Sequence, residues 1–104
     1  MSGNETPVLL LNERETDEGV LVSVCDPEVL GETFENGAVS LTVEADFYEG
    51  TEADEEAVVE SLARCSVANI VGTHAVALAV EHGFIEEDNV LEVGGTRHAQ
   101  LLWL

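Results

Sequence analysis

The spacing of apolar positions along the chain divides it into strands and helices. Pro7 to Asn12 (PVLLLN) and Val20 to Cys25 (VLVSVC) are short β-rich runs around a charged segment ending in glycine, a hairpin pattern. Asp26-Pro27-Glu28-Val29-Leu30-Gly31 then combines a capping residue, a proline at the first helical position and a closing glycine. It predicts a single helical turn. From Ala38 to Ala45 (AVSLTVEA) the alternation is strict. Val39, Leu41, Val43 and Ala45 share one side, and Ser40, Thr42 and Glu44 share the other, as in a strand with one wet face. Phe47 keeps the inward parity, which sends Tyr48 to the opposite face or into the next loop.

Helical spacing takes over at Thr51. Thr51 and Asp54 approximate a capping box, carboxylates crowd the first turn, and Val58, Leu62 and Cys65 line one side. After a break at Gly72, Thr73 opens a second helix that runs to about His82 and stops at Gly83. Asn89 to Val93 (NVLEV), Gly94-Gly95 and Thr96 to Leu104 (TRHAQLLWL) close the chain as a hairpin. Its last strand sets Ala99, Leu101 and Trp103 on one face and His98, Gln100 and Leu102 on the other. These elements predict an α+β fold: a small two-layer domain with a mostly antiparallel sheet of about five strands and two helices on one face. A length of 104 residues suits one core, with residues 7–104 as the domain and residues 1–6 as a flexible tail.

Charge sharpens this outline. The chain carries 22 Asp and Glu against 3 Lys and Arg, for a net charge of −19, yet 45% of it is hydrophobic. Carboxylates punctuate patterned apolar segments instead of forming a tail, which excludes an acidic disordered protein and points to the surface of a halophile protein. Within this acidity, Val67 to Val80 (VANIVGTHAVALAV) has no carboxylate and is assigned to the buried centre. Acid is also absent after Glu92, where Arg97 stands.

Chemistry-bearing motifs are sparse. Cys25 and Cys65 lie in apolar runs without ligand spacing, and His74, His82 and His98 are scattered, so no metal or cofactor is expected. There is no GxGxxG, Walker loop or HExxH. The start MSGNET has no secretory pattern and the apolar runs are too short to span a bilayer, so a cytoplasmic protein away from membranes is expected. His98 and Gln100 together offer donors and acceptors on one strand face, for a ligand or for loop backbone. Arg97, Asn69 and Tyr48 complete the candidate binding set, Asn69 as a ligand contact or a brace at Gly72, Tyr48 as a stacking ring or a sheet-edge residue. Cys25 beside Asp26 is either a reactive thiol or an inert core residue, and its setting raises the thiol pKa.

Several motifs in order resemble one known family: Val24-Cys25-Asp26 with Leu30-Gly31, Phe47-Tyr48-Glu49-Gly50, Ala68-Asn69-Ile70-Val71-Gly72 with Ala75-Val76, and Gly94-Gly95 with His98-Ala99-Gln100. Together they are similar to the archaeal family catalogued as domain of unknown function 424, over nearly the whole chain from about Val20. The resemblance implies an archaeal lineage and a compact α+β fold and supplies no catalytic residues; the acidic composition agrees with a haloarchaeal member. Three functions fit. The first is a non-catalytic binding module in RNA- or ribosome-linked work, using the acid-poor patch around His98. The others are a homodimer built on the C-terminal strand, and a small-molecule enzyme with His98 as acid or base near Cys25 or Asp26. DNA is not an expected partner.

In molar salt the screening length shrinks to roughly 3 Å, which removes most of the repulsion among the carboxylates. The chain should therefore lose structure as salt is withdrawn. A circular dichroism spectrum unchanged from molar KCl to dilute buffer would refute this.

Overall fold

The two opening apolar runs pair as strands β1 (Leu9–Thr16) and β2 (Gly19–Cys25), with Leu10 opposite Cys25 and Thr16 opposite Gly19. This computed structural model describes residues 8–103, so the N-terminal tail lies outside it. The charged stretch Glu13 to Thr16, expected as turn, continues β1. Glu13 has partners on the next layer: it accepts from the buried Ser61 hydroxyl and pairs with Arg64 at 2.7 Å.

After β2, Pro27–Val29 forms the expected single turn, of 3-10 type. Next come β3 (Thr33–Asn36) and β4 (Val39–Thr42), which pair only with each other. The alternation read over Ala38–Ala45 thus belongs to a separate hairpin, which leaves Val39 exposed. Ala45 is not a strand residue: it starts the four-residue helix α1 (Ala45–Tyr48), which buries Tyr48 and leaves Phe47 half-buried. Thr51 does not start a helix either. It begins β5 (Thr51–Ala53), drawn into the sheet by pairing with Leu9–Leu11. Helix α2 (Glu55–Arg64) follows, capped by Asp54, whose carboxylate accepts from the Ala57 N–H at 2.9 Å.

The acid-free centre supplies β6 (Val67–Val71) and α3 (Thr73–Glu81), joined by Gly72. Ala75, Val76, Leu78 and Ala79 of α3 are buried, as are Ala68, Ile70 and Val71 of β6. At roughly 1.5–3 kcal/mol for each fully buried Val, Leu or Ile side chain, this run drives much of the folding. A second 3-10 turn (Glu87–Asn89) leads to β7 (Leu91–Val93), and Gly94-Gly95, both at positive φ, turn the chain into β8 (Thr96–Leu102).

The described residues thus build a six-stranded sheet in the order β5-β1-β2-β6-β8-β7 and a separate two-stranded hairpin. All neighbours in the sheet are antiparallel except β2 and β6. The α+β, mostly antiparallel expectation holds, with six strands instead of about five, the hairpin and the short α1 as additions. Helices α2 and α3 cover one face, packing on Leu9, Val22, Val24, Ala68, Ile70, Ala99 and Leu101. On the other face the register aligns three rows across neighbouring strands. Leu10, Cys25, Val71 and His98 form the first, Asn12, Ser23, Asn69 and Gln100 the second, and Arg14, Leu21, Val67 and Leu102 the third. The β3–β4 hairpin, Val43 and α1 cover the apolar first row through Val43, Tyr48, Phe34, Leu41 and Phe47, and α1 also reaches Asn12 and Arg14 on β1.

Asp26 locks the centre. The sequence predicts it as the cap of its own turn, but its carboxylate makes no bond there. It reaches instead to the first turn of α3, accepting from the His74 N–H at 3.1 Å and the Ala75 N–H at 2.8 Å, and is 3% exposed. A Cβ at Gly72, which sits at φ 120°, would collide with that carboxylate, so only glycine fits both the backbone and the space. Loss of the two charge-assisted bonds that cap α3 predicts that Asp26→Ala costs about 2–3 kcal/mol. Denaturant unfolding in molar salt measures this, and a variant as stable as the parent would sink the assignment.

Candidate functional site

A roof that covers only part of a sheet face leaves a gap at its border. Here the gap is a cavity of about 400 Å³ lined by Leu41, Thr42, Glu44, Phe47 and Tyr48 from the roof and by Asn69 and His98 from the sheet floor. The roof is held from below and from the side. Asn12 donates from its amide to the Glu49 carbonyl at 2.6 Å, Arg14 donates to the Asp46 carbonyl and lies 5.1 Å from the centre of the Phe47 ring, and Asn36 reaches the Glu92 carbonyl of β7.

Three residues singled out in the sequence, Tyr48, Asn69 and His98, meet in this cavity. A fourth, Gln100, stands behind them: its amide donates to Asn69 Oδ1 at 2.8 Å. That bond fixes the Asn69 amide with its oxygen toward Gln100, and the Asn69 NH₂ group has no partner among the described residues. Arg97 does not join them. Adjacent strand residues point to opposite faces, so Arg97 turns toward the second 3-10 turn and pairs with Glu87. Cys25 lies beneath Tyr48 in the buried cluster, and Asp26 is committed to α3. Neither lines the cavity.

The sequence reading missed Leu41, Thr42, Glu44 and Phe47. Phe47 stood in a motif already noted, but its role depends on α1, which begins where strand alternation was still being followed. Glu44, on the wet side of the alternation, is exposed and lines the cavity.

Electrostatically the site carries one carboxylate, Glu44, and no cationic side chain among its lining residues. Burial lowers the His98 pKa below its ordinary 6.5, which favours the uncharged imidazole with one donor and one acceptor nitrogen. The Tyr48 phenol is pushed up to about 12 by burial and then by the neighbouring Cys25. Cys25 is likewise raised to about 12, by burial first and then by Asp26 and Glu28, so its thiol stays protonated and a poor nucleophile. Glu44 is the carboxylate among the lining residues, and no Lys or Arg lines the cavity. Such a set suits a neutral, hydrogen-bonding ligand with an apolar face and disfavours an anion.

A second hollow of about 450 Å³ lies along α2 between Glu55, Glu56, Val59, Glu60 and His82. Its walls are the solvated carboxylates of a helix start, with Glu55 2.8 Å from the His74 ring. Among the described residues no group of three or more His, Cys, Asp or Glu could hold a metal ion, and no helix is long and apolar enough to cross a membrane.

Comparison with known proteins gives two matches. The model of the family described as "Protein of unknown function (DUF424)" matches residues 13–104, a span that contains every residue of the cavity. The crystal structure of an uncharacterized conserved protein from Methanopyrus kandleri is similar over 93% of this chain and 95% of that one, with 26% identity and a TM-score of 0.69. No curated protein matches the chain.

Because the folded His98 holds its proton less tightly than the unfolded chain does, stability is full above about pH 6.5 and falls as the pH drops through that value. His98→Gln should remove this part of the slope. Unfolding in molar KCl from about pH 5 to 8, with the His98 titration followed by NMR, checks both. A midpoint above 6.5 would mean that the ring is not desolvated.

Proposed function

The chain belongs to the DUF424 family of proteins of unknown function, and we propose that it acts as a non-catalytic binding module whose ligand site is the cavity between the β3–β4 roof and the sheet. Its ligand is a planar, uncharged heterocycle, in the first instance an unpaired base of an RNA. One observation carries this reading: the Gln100 bond to Asn69 Oδ1 pre-orients an amide donor beside an imidazole that burial keeps neutral. Two fixed polar groups against the apolar side chains of Leu41 and Phe47 match what a base presents, an edge of donors and acceptors and a flat face.

The charge balance supports a base over a phosphate. A net charge of −19 and a cavity without Lys or Arg give phosphates little to bind. Counterion release, the usual source of nucleic-acid affinity, also fades in molar salt. Hydrogen bonds and stacking survive those conditions. Glu44 at the mouth accepts from an exocyclic amine and repels a phosphate, which favours a base with an amino group. Binding in place of catalysis is favoured by the same groups: the nearby thiol is protonated, the nearby buried carboxylate is tied to α3, and among the described residues no ion pair joins the His98 imidazole to a carboxylate.

Titration of the full chain in molar KCl with the four ribonucleosides and with short single-stranded RNAs tests this, read by NMR at the Asn69 amide and the His98 ring. Binding should be weakened about tenfold or more by Asn69→Ala and by His98→Ala, with the circular dichroism spectrum retained. The proposal fails if no base or RNA perturbs the cavity signals, or if both variants bind like the parent.

A further inference from the structure

The chain has three cations, all arginine, and two of them pair with carboxylates: Arg64 with Glu13 and Arg97 with Glu87. Arg14 has no carboxylate partner among the described residues, although the chain offers 22 Asp and Glu. Its guanidinium goes to the roof of the cavity. It donates to the Asp46 carbonyl of α1, lies 5.1 Å from the centre of the Phe47 ring, and donates from Nε to Asn12 Oδ1 at 3.2 Å. Asn12 in turn donates to the Glu49 carbonyl at 2.6 Å.

Helix α1 cannot satisfy its own end. Its amide bonds run from Phe47 and Tyr48 to Glu44 and from Glu49 to Ala45, so the carbonyls from Asp46 onward have no partner within the helix. Strand β1 supplies two of them. Asn12 and Arg14, two residues apart, stand on one face of the strand and reach Glu49 and Asp46 respectively. Beyond α1 the chain is held closer still: a Cβ at Gly50 would meet the Leu11 carbonyl oxygen at 2.1 Å, and Thr51 pairs with Leu11. Gly50, Glu49 and Asp46 are thus fastened in turn to Leu11, Asn12 and Arg14. Phe47 and Tyr48, which line the cavity, lie between the last two fastenings.

We infer that Arg14, braced by Asn12, is a positioning residue of the ligand site: it sets where the Phe47 ring stands over the Asn69 and His98 floor, and so the apolar wall offered to a planar ligand. The inference rests on the binding function proposed above. Arginine suits this task because one flat group can donate in its plane to two oxygens and lie over a ring, whereas lysine offers a point charge. With the guanidinium on one face, the ring has its other face or its edge left for the cavity.

NMR of the full chain in molar KCl, free and titrated with the four ribonucleosides, tests this. The variants are Arg14→Ala, Arg14→Lys and, as a control that removes the same charge outside the site, Arg64→Ala. In the free protein Arg14→Ala should shift the Asn69 amide and His98 ring signals, which Arg14 does not bond, with the circular dichroism spectrum retained. Nucleoside affinity should fall about tenfold, while Arg64→Ala matches the parent in both respects. Arg14→Lys keeps the charge without the planar fork and should act in the same direction in smaller measure, and it decides the matter where the alanine variant does not fold. The inference is overturned if the Asn69 and His98 signals move no more in the Arg14 variants than in Arg64→Ala, or if affinity is unchanged in both Arg14 variants. A parent that binds no nucleoside refutes the ligand and leaves the role of Arg14 to be decided by the spectra of the free protein.

Discussion

A single buried carboxylate fixes how the two halves of the protein meet. Asp26 ends β2, and its backbone N–H donates to the Val71 carbonyl at the end of the parallel neighbour β6. Its side chain then takes the first free amides of α3. The helix that carries the core is thus capped by a residue from another strand, 48 positions earlier than His74 in the chain. The turn from β6 into α3 is consequently so tight that Gly72 has no room for a side chain. Without this contact the apolar face of α3 has no defined angle to the sheet, and the alignment of β6 with β2 loses its end stop.

The alignment of β2, β6 and β8 in turn produces the second face. Its rows pass from apolar, under the hairpin and α1, to amide and hydroxyl groups, and then to a mixed, open row. The cavity lies where the cover stops. An apolar row gains most from covering, so the roof settles over the first row and its rim falls across the second, where Asn69 lines the cavity while Ser23 is buried. His98 belongs to the first row and Asn69 to the second, which is why they face the same space from adjacent strands.

Features set by neighbouring residues were legible in the sequence. The β1–β2 and β7–β8 hairpins, the span of α3 and the shared face of His98 and Gln100 all follow from turn glycines and from spacing within one element. What depends on distant partners was not. Thr51–Ala53 is a strand only because β1 offers an edge, so its local carboxylates read as a helix start. The alternation of Val39, Leu41 and Val43 is real, but nothing in it tells a sheet strand from a detached hairpin. The meeting of Tyr48, Asn69 and His98 requires both the β6–β8 register and the fold of the roof. Membership of the candidate set was legible for those residues, whereas their geometry was not, and strand parity separates Arg97 from them.

The hairpin has one further consequence. Its strands pair with each other and not with the six-stranded sheet, to which it is tied by the chain at its base, by the Asn36 contact to β7 and by side-chain packing. Lifting it breaks no ladder bond of the sheet. The roof is thus held by packing of Val43 and Tyr48 on Cys25 and Val71, and opening it would expose that cluster without parting any strands of the sheet.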